Sequence, residues 1–204
     1  MLLEVKDRTQ ALAFLGNSLL RPMSLTGDHG INKDFWESFP DFGQESLSWA
    51  LAEMIVYVQT LDILDPGMRD KVVSRISVEF AKLFVGPPRP LAHPWETFYK
   101  GEEVRSGYGR PAIEMRNELA NLQLAVGGAG NTFPDHMGIE LLCLAEMIDR
   151  SDTDPTYLVR ASLFCDAHPR SWIDGFHEAV RANAPGGYYD HLLMIIRALL
   201  DSTL

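Results

Sequence analysis

Apolar residues in this chain recur three and four positions apart, and no stretch shows a convincing alternation at two. Three-and-four spacing stacks side chains on one face of an α-helix, whereas alternation marks a half-buried strand. The pattern therefore restricts the chain to an all-α fold. The strongest case runs from Gln44 to Asp62, where Leu47, Leu51, Met54, Ile55, Val58 and Leu61 make one amphipathic face. Residues 7–20 repeat it with Leu12, Leu15 and Leu19, and Val72, Ile76, Phe80 and Leu83 set another face. Further helices are predicted from Pro111 to about Leu124 and from Pro134, the latter with Met137, Leu141, Leu144, Ala145 and Ile148 inward. Others follow Asp154-Pro155, Pro169 and Gly186-Gly187. Proline and glycine separate these elements: Arg21-Pro22 ends the first, and Asp65-Pro66-Gly67 reads as a turn. Residues 21–43 read as a loop holding one short helix, Lys33–Ser38, capped by Asn32 and anchored by Phe35 and Trp36.

One interruption differs in kind. From Leu83 to Tyr99 the chain reads LFVGPPRPLAHPWETFY. Prolines 87, 88, 90 and 94 lack N–H donors and hold φ near −65°, so neither helix nor central strand fits. Yet Phe84, Trp95, Phe98 and Tyr99 are aromatics that a solvated loop has no reason to keep. A stiff, extended, aromatic segment between helices is either a buried structural strap or one wall of a binding groove. Gly86 and Pro87 are assigned to shaping its turn.

A chain of 204 residues suits one large domain or two small ones; it reads as a single helical domain over 1–204, with a possible hinge at 125–132. Charges, glycines or prolines interrupt every apolar run before it reaches membrane-spanning length. The opening MLLEVKDRTQ has no basic stretch ahead of an apolar core, so no secretory signal is expected. Cys143 and Cys165 both fall inside apolar helical patterns, the setting of buried reduced thiols, and a cytoplasmic location is expected. A formal net charge of −10 with no Lys/Arg cluster argues against nucleic acid as a partner. It is compatible with a cationic peptide.

Asp135, placed by Pro134 in a first helical turn, suits a helix cap, a contact to a cationic ligand side chain, or both. His136 and Glu140 stand four apart on one helix face, as metal ligands or a hydrogen-bonded pair do, and His136 suits a bond to the strap's backbone as well, but no third ligand is near in sequence. No metal or other cofactor is therefore expected. No nucleophile elbow, P-loop or dinucleotide fingerprint occurs, so the chain is not expected to be an enzyme. The competing reading is a small helical metal-dependent hydrolase using His136, Glu140 and Asp135.

The segment LFVGP, followed seven residues later by WETFY with Pro94 just before the tryptophan, resembles the signature of the TorD/DmsD/NarJ family. These are cytoplasmic chaperones that mature molybdenum-containing redox enzymes. FPDHMGIEL, beginning at Phe133 about 40 residues on, resembles the family's second mark, a proline-containing acidic turn, Asp-His and a helix. Where some members carry Glu-Pro-x-Asp-His, this chain has Thr132 in place of the glutamate. The resemblance implies an all-α domain that binds a twin-arginine leader peptide, the apo catalytic subunit of a molybdenum enzyme, or both, as monomer or homodimer. It implies that Trp95, Tyr99, Asp135 and His136 make the binding surface, with Pro94 and Glu96 holding the strap. Trp95, Phe98 and Tyr99 would be the apolar floor. Glu96 with Glu102 and Glu103 would form an acidic rim, since a carboxylate binds arginine through two parallel hydrogen bonds.

Overall fold

A computed structural model of the protein describes residues 2–61, 66–86, 88–100, 109–125 and 133–202. The described residues are predominantly helical and contain no strand, so the fold is all-α. They pack as two compact units, one from Met1–Leu20 and His93–Phe176, the other from Arg21–Ala92 and His177–Thr203. The proposed hinge at 125–132 lies, apart from residue 125, outside the described residues.

The first unit holds α1 (Leu2–Leu20), α6 (Arg110–Asn121), α7 (Met137–Arg150), α8 (Thr156–Ala167) and the start of α9 (Pro169–Asn183). Helix α7 is its centre: Met137, Ile139, Leu141, Cys143, Leu144, Met147 and Ile148 are all buried, covering more than one face. A helix apolar around most of its circumference has to be enclosed by others. Leu12, Leu15 and Leu19 are buried as predicted, but α1 begins five residues earlier than their spacing indicated. Helices α1 and α7 meet through glycines. A Cβ on Gly138 would lie 2.6 Å from the Gly16 carbonyl oxygen, and one on Gly16 would lie 2.8 Å from that of Gly138. Gly138→Ala is accordingly expected to destabilise the protein by about 1–3 kcal/mol, because the obstacle is backbone and cannot step aside. That outweighs the roughly 1 kcal/mol by which alanine improves helix propensity. Urea unfolding monitored by circular dichroism checks it; an unchanged or raised midpoint would contradict the close crossing.

The second unit holds α2 (Met23–Thr26), α3 (Lys33–Glu37), α4 (Glu45–Gln59), α5 (Pro66–Phe80), the end of α9 and α10 (Tyr188–Asp201). Asn32 caps α3 as predicted, accepting the Asp34 N–H, and Trp36 is buried with its Nε1 donating to the Gly30 carbonyl. Two expectations are corrected. Pro66 and Gly67 open α5 instead of forming a turn, since proline's missing N–H costs nothing in a first helical turn. Pro22 starts the short α2 where a loop was expected. Helix α5 ends in a π-helical turn, Ala81–Val85, stopped by Gly86 at φ 89°. A side chain there would meet the Arg89 backbone at 2.6 Å, which confirms Gly86 as a turn-shaping residue; Pro87 lies outside the described residues. Leu91 and Ala92 then return N–H bonds to the carbonyls of Lys82 and Leu83.

Both cysteines are buried. Burial pushes the Cys143 thiol up to about 12, so it stays protonated. No helix of the described residues is long and apolar enough to cross a membrane.

Candidate functional site

In the first unit the strap is joined to the turn before α7 by two backbone bonds. Glu96 N–H donates to the Asp135 carbonyl at 2.9 Å and Met137 N–H to that of Pro94 at 3.0 Å, an isolated antiparallel pairing of Trp95 with His136. Pro94 contributes an acceptor, the one backbone group proline retains. Glu96, Thr97 and Phe98 then form a 3₁₀ turn. The two signature segments thus form a single framework, and Pro94, Trp95, Glu96, Asp135 and His136 stand together in it.

Their roles differ from the sequence reading. Asp135 does not lie in the first turn of α7. Its Oδ2 accepts Thr97 N–H at 3.0 Å and Thr97 Oγ1 at 2.5 Å, fixing the 3₁₀ turn. Asp135 is 0% exposed, and burial raises its carboxyl pKa despite those two bonds. The cap of α7 is His136, whose Nδ1 accepts the Gly138 N–H at 3.0 Å. That bond requires an unprotonated Nδ1, and burial lowers the imidazole pKa to about 3. His136 takes the cap expected of Asp135, and Asp135 makes the bond to the strap backbone that was one alternative for His136.

Glu96 is 2% exposed and so is not a rim residue. His168 Nδ1 donates to its Oε2 at 2.8 Å, and Lys100 Nζ lies 3.5 Å from its Oε1. His168 reaches it because Pro169 disfavours a helical residue before it. Helix α8 therefore ends at Ala167, and His168 occupies the bend before α9. Glu140 is 0% exposed, with Oε2 accepting Trp172 Nε1–H at 2.9 Å. Burial, and then the Glu96 charge, raise the Glu140 pKa well above the ordinary glutamate value. His136, Glu140 and Asp135, the three residues of the hydrolase reading, are each bonded to a different partner: the Gly138 N–H, Trp172 and Thr97. Glu102 and Glu103 lie outside the described residues.

The strap aromatics divide. Tyr99 packs inward, stacked on Trp172 with ring centres 5.3 Å apart and against Phe176 at 6.1 Å. Trp95 and Phe98 keep exposed surface. Phe98 is 40% exposed and stacks on His93 at 4.1 Å, while half-buried Trp95 meets Phe133 edge-on at 5.9 Å. Beside the strap a cleft of about 610 Å³ is lined by Glu96, His168 and Lys100 and, from α6, by Arg110, Glu114 and Glu118. Sequence reasoning missed Thr97, Phe133, His168 and Trp172. His168 pairs with a residue 72 positions away, and no local pattern announces that.

No curated protein matches the chain. A family model described as nitrate reductase delta subunit matches residues 46–178, which include both signature segments. Since that match covers well over half of the 204 residues, the protein belongs to the nitrate reductase delta subunit family, the NarJ/TorD-type chaperones of redox-enzyme maturation.

Proposed function

We propose that this protein is a cytoplasmic chaperone for a molybdenum-cofactor-containing oxidoreductase, acting as one domain, monomeric or homodimeric. It binds the enzyme's twin-arginine leader, its apo catalytic subunit, or both, until the cofactor is in place. The observation that carries this reading is a partly exposed aromatic surface (His93, Trp95, Phe98 and Phe133) on a strap whose backbone is anchored. Rigid aromatics give apolar contact area at small entropic cost, which suits the hydrophobic run of a leader. Carboxylates for its arginines are available on α6, where Glu114 and Glu118 already hold the guanidinium groups of Arg110 and Arg160 at 2.6 and 2.7 Å.

Titration with a peptide bearing paired arginines before an apolar run tests the proposal. Binding is expected to weaken with added salt without vanishing, because rim charges are screened over roughly 10 Å at 0.1 M salt and apolar burial is not. Trp95→Ala or Phe98→Ala should each cost about 1–3 kcal/mol of binding. A lysine-for-arginine peptide of equal affinity would remove arginine reading from the mechanism. Failure to bind both the leader and the apo subunit would sink the proposal.

A further inference from the structure

Glu96 on the strap, Glu140 on α7 and His168 at the α8–α9 bend converge on one buried point. Each offers an oxygen or nitrogen, and these atoms all lie within 4.8 Å of one another. Two carboxyl groups and an imidazole set together away from water need a cation or a proton between them, because two buried carboxylate charges would repel. A second observation is independent of that clustering. Glu140 is wholly buried, Trp172 accounts for its Oε2, and its Oε1 has no hydrogen-bond partner. Native proteins seldom leave such an acceptor unpaired.

The geometry points to a divalent transition-metal site formed by Glu96, Glu140 and His168, with access from the neighbouring cleft. It goes beyond the client-binding reading and does not depend on it. The absence of a third ligand made a metal unexpected from the sequence, where His136 was paired with Glu140. His136 is committed to its cap, and His168 supplies the nitrogen instead. One imidazole with two carboxylates and no thiolate suits zinc or its first-row neighbours better than copper(I). Glu96 and His168 line the cleft, so solvent can fill the remaining coordination position. Bound there, the ion ties together the strap, α7 and the α8–α9 bend. Lys100, 3.5 Å from Glu96 Oε1, is the cation it competes with.

The test uses full-length, tag-free protein stripped with chelator and titrated with Zn²⁺ by calorimetry and with Co²⁺ by visible absorption. One ion per chain is expected, with cobalt d–d bands and no thiolate charge-transfer band. His168→Gln and Glu140→Gln should each weaken binding at least about tenfold, the smallest loss typical even of outer-sphere changes. Lys100→Met should tighten it. X-ray absorption of the zinc-loaded parent should show one imidazole and otherwise oxygen, a readout that stands even where a variant fails to fold. No saturable one-to-one binding, unchanged affinity in folded variants, or a shell with sulfur or several imidazoles would each overturn the site. In the first case the occupant is a proton shared between the two carboxyl groups.

Discussion

Asp135→Ala is expected to lower stability by about 2–4 kcal/mol, which for a protein of this size corresponds to a fall in melting midpoint of roughly 5–15 °C. The substitution strands two buried donors, Thr97 N–H and Thr97 Oγ1, which share the Asp135 Oδ2 acceptor. Asp135→Asn retains an acceptor for them and should lose less. If Asp135 were only a helix cap, alanine would cost nearer 1 kcal/mol. Double substitution with Thr97→Val separates the two accounts, because removing the Thr97 hydroxyl together with its acceptor should recover part of the loss, the backbone N–H of residue 97 alone staying stranded. Additive losses would show that the Thr97–Asp135 bonds do not carry the effect. Peptide titration of Asp135→Asn then asks whether the residue serves binding beyond holding the strap.

The second large effect is a loss of stability in acid traceable to His136. Its pKa is lowered by burial from 6.5 to about 3, so between those values the unfolded chain binds a proton that the folded one refuses. The sign follows: the contribution is complete above pH 6.5 and is lost progressively as pH falls toward 3. A shift of that size corresponds to roughly 4–5 kcal/mol at the acid end, at 1.36 kcal/mol per pKa unit. His136→Asn keeps an acceptor for the Gly138 N–H but does not titrate. Its stability should fall distinctly less over the same window than that of the parent. Parallel pH profiles of the two proteins, from denaturant unfolding at fixed ionic strength, would show that the histidine is not the source.

Helical periodicity made most of the fold legible, because a buried face repeats its apolar residues whatever it packs against. The capped helix at Asn32 and the inward faces of α4 and α7 appear where their spacing placed them. A helix of four residues, Met23–Thr26, is too short to carry a period. At the start of α7 the spacing offered the aspartate as the cap, but a threonine 38 positions away claims it and His136 takes the cap. The candidate site was legible as two segments needing each other, and the fold joins them. Glu96 was misplaced for a plain reason: a carboxylate beside other acids in sequence looks solvated, and only His168 and Lys100 reveal that it is buried and paired.

The anchored strap has a bearing on self-association. An extended segment at a protein surface is ordinarily a template on which another chain can grow a sheet, through its free row of N–H and C=O groups. Here prolines 88, 90 and 94 leave gaps in that row, and the N–H groups of Leu91, Ala92, Glu96 and Thr97 are already taken. A stretch so aromatic would otherwise invite copies of the protein to polymerise edge to edge. Its backbone instead has little left to offer a second strand. The rings can stay open to a partner without the main chain becoming a nucleus for aggregation.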